Sequence, residues 1–274
     1  MNVATDEQPA SDGLEIINPR YAELYQRTRQ VLGADPRVTE VILSGSVANG
    51  SADQWSDLDL QIITTPHGYE SFLADWEIWL ARITPTVFAR RAIAPFIVNT
   101  LTTDGLTLDM AIYSGNAPSD TGTPGYAVGL LASRPFDDLR GALEYAVAEQ
   151  LRGLAGPFIT LIKRDEHVRH LSGVSHVLGL LTTVFLAETD SPPPAKRWNR
   201  SLTAEQRDAV AALPPLSATR EGVLGFGLAV AELVVTRARP LYPPYDLRWP
   251  EELARVAADR LDMELGLATR DWLH

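Results

Sequence analysis

The patterning of apolar residues changes character near Pro135, and that change limits the folds open to this chain. Before it, short apolar runs alternate with polar residues and turn signals, the period-2 signature of strands. After it, apolar residues recur at helical spacing and the strand pattern does not return. A chain built this way is an α+β protein, with a mixed sheet and its helices in the first half and a helical bundle in the second. Its 274 residues give each half room for a core of its own. The expected boundaries are a loose acidic tail over residues 1–16, a first domain over 17–135 and a helical domain over 136–274.

Local signals fill in both halves. Asn18 caps a helix with Pro19 at its first position, running to about Gly33. Val38–Leu43 and Leu58–Ile63 read as strands, and Tyr69–Ile83 as one helix whose Trp76 and Trp79 belong to the core. Phe96–Leu101 and Leu106–Tyr113 read as strands joined at Asp104-Gly105, the dipeptide suited to a tight hairpin. Residues 114–135, rich in Gly and Pro, read as a long loop. Helices are then expected over Asp137–Leu154, from Gly156-Pro157 to about Glu188, from Thr203 to Leu213 behind a capping box, over Ser217–Arg239 and from Pro250 onward.

Composition narrows the chemistry. There is no cysteine, which excludes disulfides, thiolate nucleophiles and Cys-based metal sites. The formal net charge of −11 argues against a sequence-independent binder of nucleic-acid backbone, which needs a basic stripe, and fits a small cationic substrate better. The apolar runs Val174–Ala187 and Val223–Val235 are shorter than the roughly 18 residues of a spanning helix, and the N-terminus is polar and acidic. A cytoplasmic protein without a membrane partner is expected.

The stretch from Leu43 to Leu60 is the most informative. A strand ends at Gly45-Ser46, turn-forming residues follow, and Asp57-Leu58-Asp59-Leu60 opens the next strand. Strand side chains alternate, so Asp57 and Asp59 share one face while Leu58 and Leu60 take the other. Two carboxylates about 7 Å apart on one face repel each other unless a cation lies between them. Hard Mg²⁺ suits carboxylate oxygens and substrate phosphates. Gly45 lets the backbone turn closely, and Ser46 offers an N–H and a hydroxyl to a phosphate. Asp109 stands in Leu106–Tyr113 with Leu108 and Met110 pointing the other way, so a strand beside Leu58–Ile63 would bring a third carboxylate to that face. Three such groups can hold two metals about 3.5–4 Å apart, the clamp used for in-line phosphoryl transfer.

Gly45-Ser46, ten intervening residues, then Asp57-Leu58-Asp59-Leu60, with Asp109 on a later strand, closely resembles the nucleotidyltransferase superfamily of DNA polymerase β-like fold. The helical half after it resembles, in architecture, the antibiotic-modifying branch, the aminoglycoside and lincosamide nucleotidyltransferases. The resemblance implies that Gly45 and Ser46 bind the triphosphate of ATP or another NTP, that Asp57 and Asp59 hold Mg²⁺, two ions in all, and that Asp109 joins the metal shell or takes the proton of the attacking hydroxyl. It also implies a lysine on the triphosphate, for which Lys196 is the candidate. The implied reaction is transfer of AMP from ATP to a hydroxyl of a small molecule, an aminoglycoside- or lincosamide-like antibiotic, with release of pyrophosphate. Alternatives are nucleotidylation of a tRNA 3′ end or a protein hydroxyl, with Arg82, Arg90 and Arg91 as a local basic patch, and a non-catalytic nucleotide-binding module.

Other residues carry bland readings beside sharp ones. Trp198 stacks on a ring or packs between helices. Asp165 and Glu166 bind an amino-bearing substrate or form a solvated face with Lys163 and Arg164. His167 and His170 have ligand spacing but no placed third ligand. Gly225-Phe-Gly227 lacks the third glycine and the preceding strand of a dinucleotide fingerprint.

Overall fold

The computed structural model describes residues 14, 17–91, 97–115, 136, 138–192 and 198–273. The chain divides into two compact units, Met1–Val128 and Gly129–His274. The boundary expected at Pro135 lies outside the described residues. So does nearly all of the tail expected over 1–16, whose one described member, Leu14, is fully buried in the core of the first unit.

The first unit is a five-stranded mixed sheet with helices. Helix α1 spans Pro19–Gly33, and the Asn18 side chain accepts the Arg20 N–H at its start. Strand β1 (Val38–Leu43), the single-turn helix α2 (Gly45–Ala48) and strand β2 (Leu58–Thr64) follow. Helices α3 (Tyr69–Ala74) and α4 (Trp76–Ile83) precede strands β3 (Thr86–Arg91), β4 (Ile97–Thr102) and β5 (Thr107–Ser114). The strand order is β1-β2-β5-β4-β3, with β2 and β5 parallel and every other pair antiparallel.

The alternation expected of β2 and β5 decides which face is dry. Leu58, Leu60 and Ile62 on β2, with Leu108, Met110 and Ile112 on β5, are all at most 1% exposed. They share one core with Tyr21, Leu24 and Leu32 of α1 and with Phe72, Trp79, Leu80 and Ile83 of α3 and α4. Phe72 and Trp79 stack with centroids 5.0 Å apart, and the Trp79 indole donates to the Phe72 carbonyl at 2.9 Å. Burying these side chains is the chief drive for laying the helices on this face. The single helix expected over Tyr69–Ile83 is two, because the chain leaves helical geometry at Asp75. Arg37, at the foot of β1, bonds both Asp35 and Asp75 at 2.7 Å and covers the Phe72 ring, and so binds the break to the sheet. The Arg37 guanidinium also holds the Asp35 carboxyl below the usual carboxylate range.

The second unit is helical. Helix α5 (Leu139–Gly153) runs into a π-helical turn at Leu154–Phe158 and then α6 (Ile159–Lys163). The interruption expected at Gly156-Pro157 is thus a widened turn. Proline lacks the N–H of a regular α-turn and its ring crowds the carbonyl four residues back, which a π-turn relieves. The helix expected from there to Glu188 is three, namely α6, α7 (His167–Ser172) and α8 (Val174–Glu188). Asp165, at φ 56, interrupts the helix between the first two, and Gly173 separates the last two. Helices α9 (Trp198–Ser201), α10 (Ala204–Ala211), α11 (Arg220–Ala238), α12 (Glu251–Leu265) and α13 (Arg270–Leu273) complete the unit. The capping box at Thr203 forms with Gln206, whose amide also donates to the Phe185 carbonyl and to Glu188. Arg237 closes this network on Glu188 and Glu205. None of the described helices is long and apolar enough to cross a membrane.

Candidate active site

The parallel pairing of β2 with β5 sets Asp59 directly beside Asp109. With Leu58, Leu60, Leu108 and Met110 committed to the core, both aspartates project from the opposite face. Asp57, one residue before β2, joins them. One oxygen from each of the three carboxylates lies within 4.8 Å of the others, and all three residues are half-buried. Among the described residues this is the only group of three or more His, Asp or Glu side chains arranged so that a metal ion could bind.

Three acids this close raise the cost of ionisation. The Asp59 carboxyl is pushed up to about 7, first by burial and then by the charges of Asp57 and Asp109. Oxygen-only donors with concentrated charge are what a hard divalent cation requires, so the residues fit Mg²⁺.

The backbone of Gly45 closes the site on the β1 side. Its φ is +61°, in the left-handed region, and a Cβ built there would overlap the Asp59 carboxylate, 2.7 Å from its Cγ. Only glycine satisfies both demands. The Ser44 N–H bonds the Asp59 carbonyl at 2.9 Å, carrying the sheet register up to this turn. Ser46 follows, and its buried hydroxyl has no hydrogen-bond partner among the described residues. The loop to β2 is braced by its own side chains. Asn49 accepts the Ser51 N–H, Asp53 accepts the Trp55 N–H, and Ser56 and Asp53 bond each other.

The sheet register adds residues that sequence reading did not single out for this site. Antiparallel pairing sets Asn99 of β4 opposite Asp109 and Arg90 of β3 opposite Asn99. One row on the acidic face therefore reads Asp59, Asp109, Asn99, Arg90. Two residues along β2, Gln61 shares the face, is 6% exposed, and its side-chain oxygen has no hydrogen-bond partner among the described residues. No signal in the linear sequence marks these residues, because the register alone brings them together.

Most of the remaining candidates belong to the helical unit. Lys196 lies outside the described residues. Lys163 stands 3.8 Å from Glu264 within the helical unit. Asp165 and Glu166 occupy the break between α6 and α7, and the Asp165 side chain is 80% exposed. Among the described residues, His167 and His170 gain no set of metal ligands. Gly225 and Gly227 lie inside α11, and Trp198 is partly exposed on α9. Arg90 and Arg91, adjacent on β3, point to opposite faces, so the patch weighed with Arg82 is not one surface.

Among curated proteins none matches the chain by sequence. Solved structures with detectable likeness include an aminoglycoside 6-adenyltransferase from Bacillus subtilis, at 10% identity and TM-score 0.35, covering 86% of this chain and 95% of that one. Another is a STING-associated c-di-GMP synthase from Capnocytophaga granulosa, at 12% identity and TM-score 0.31, covering 88% and 83%. At such scores neither likeness bears on activity. The family comparison is specific. Its match begins in α1 and ends at the last residue of β5, spanning the Gly45 turn and all three carboxylates: residues 26–114 of this chain match the family model of a nucleotidyltransferase domain.

Proposed function

We propose that the protein transfers a nucleoside monophosphate, AMP from ATP, to a hydroxyl of a small molecule and releases pyrophosphate. The observation that carries this reading is the trio of carboxylates on adjacent strands, held beside the Gly45 turn within a nucleotidyltransferase domain. Asp57 and Asp59 are assigned to hold Mg²⁺, with Asp109 completing the set. Bound there, the metal supplies charge neutralisation for the phosphates and acidifies a coordinated hydroxyl.

The chain's own groups do the rest. Gly45 admits the triphosphate close to the backbone, and the uncommitted Ser46 hydroxyl is available to a phosphate oxygen. Asp109 accepts the proton of the attacking hydroxyl. A bond forms from the acceptor oxygen to the α-phosphorus as the bond to the β-phosphate oxygen breaks, and pyrophosphate leaves. Little covalent chemistry is asked of the protein, so positioning carries most of the rate. The acceptor class follows the resemblance to the antibiotic-modifying branch, a hydroxylated molecule of aminoglycoside or lincosamide kind.

Pyrophosphate release with MgATP and a panel of hydroxylated antibiotics, beside titration of a non-hydrolysable ATP analogue, tests the reading. Asp57→Asn and Asp59→Asn should each lower turnover by about a thousandfold, the several kcal/mol expected for a lost metal ligand, while far-ultraviolet circular dichroism is unchanged. Wild-type turnover in either variant would remove the site assignment. Binding without turnover toward any acceptor would favour the non-catalytic module.

A further inference from the structure

The row across the acidic face is ordered, and the order separates two sides of the site. At the β1 edge stand Gly45 and Ser46, then Asp59 and Asp109, then Asn99, then Arg90. Neighbouring strands are about 4.8 Å apart, so Arg90 begins about 14 Å from Asp59 and still farther from the Gly45 turn. An arginine side chain does not span that distance. Arg90 is thus out of reach of the β- and γ-phosphates of a triphosphate seated at Gly45 and Ser46. In an in-line displacement the attacking group enters opposite the leaving group. Pyrophosphate departs toward β1, so the acceptor enters over β4 and β3.

Those two strands present a neutral carboxamide and a cation. Asn99 is half-buried and borders Asp109, the assigned proton acceptor. A carboxamide both donates and accepts, which matches a hydroxyl held next to the reacting one. Arg90 is half-buried, and its guanidinium carbon stands 5.6 Å from the Phe88 ring centroid, on the same face. Its fork of donors suits phosphate or carboxylate and opposes an ammonium group.

We infer that Asn99 and Arg90 form the acceptor side of this site and select an acceptor that carries an anionic group near its reactive hydroxyl. The inference rests on the nucleotidyl-transfer reading but departs from the antibiotic-like acceptor given with it, replacing that class by phosphorylated or carboxylated polyols. The bonds made and broken stay those already given.

The test is calorimetric titration of the full chain with Mg²⁺ and a non-hydrolysable ATP analogue bound. The probes are ribose 5-phosphate, glucuronate, ribose and kanamycin. Ribose 5-phosphate or glucuronate should bind at least tenfold tighter than ribose and kanamycin, and which of the two leads identifies the anion. Arg90→Gln should weaken that binding at least tenfold and Arg90→Lys should recover part of it. Asn99→Ala should weaken ribose and the anionic sugars alike. Tighter binding of kanamycin, no binding of either anionic sugar, or an indifferent Arg90→Gln protein with a wild-type unfolding temperature would overturn the inference and leave nucleotidyl transfer standing. Failure of the nucleotide analogue itself to bind would overturn both.

Discussion

At the scale of single residues, the site is a place where folding and function pull in opposite directions. Asp59 sits in a strand whose neighbours Leu58 and Leu60 are at most 1% exposed, and it faces two further carboxylates. Without a cation the folded chain prefers Asp59 protonated, with its carboxyl raised to about 7 against an ordinary 3.8. Between those two values the folded state binds more protons than the unfolded state, so stability falls as pH rises. The protein kept in chelator should therefore gain stability as pH is lowered from 8 toward 4. Asp59→Asn, which has no charge to bury, should be the more stable protein at pH 8, and its advantage should shrink through about pH 7. Thermal unfolding of both proteins across this range checks the expectation. An identical pH profile for the two would mean that Asp59 is not the group that titrates.

At the scale of elements, small residues decide where helices meet. Gly227 of α11 packs on Phe158 in the π-turn, where an added Cβ would lie 2.5 Å from a ring carbon. Phe158 is 7% exposed and buried in the core, so its ring has little room to give. Gly227→Ala should cost about 1–3 kcal/mol by overpacking, despite the better helix propensity of alanine. Gly225, two residues earlier, meets only Pro214 at 3.8 Å, so Gly225→Ala should instead add up to about 1 kcal/mol. Denaturant midpoints of the two variants should move in opposite directions.

The same elements show which parts of the fold the amino-acid pattern alone makes legible. Strands β1, β2, β4 and β5 can be read because one apolar face or an Asp-Gly turn marks each. Strand β3 escapes, because Thr-Val-Phe-Ala-Arg-Arg ends in two charged residues and shows no dry face. The breaks at Asp75, Asp165 and Gly173 escape because apolar periodicity continues through them. Asp57, Asp59, Asp109 and Gly45 are legible since their spacing repeats a pattern that metal and phosphate chemistry imposes. Gln61, Asn99 and Arg90 are not, since they become neighbours of the carboxylates only through sheet register.

At the scale of the whole molecule, the formal charge of −11 bears on which acceptors can approach. A transfer RNA presents many phosphates at once and is held by a basic surface that releases its counterions. Such a surface would have to be assembled from nearby cations, and Arg90 and Arg91, the two adjacent on β3, are split between opposite faces of the sheet. A small anion asks far less. Net charge is screened within about 8–10 Å at ordinary ionic strength, so a small anion meets only the groups nearest to it, Arg90 among them, where a long polyanion would meet the acidic remainder. Gel-shift titration of unmodified tRNA at about 50 mM salt should accordingly give no complex below about 10⁻⁴ M, the weak end of non-specific binding. Repeating it with MgATP bound guards against a surface that forms only in the loaded protein. A micromolar complex whose affinity falls steeply with added salt would instead reveal a phosphate-binding surface and return a tRNA 3′ end to the front rank of acceptors.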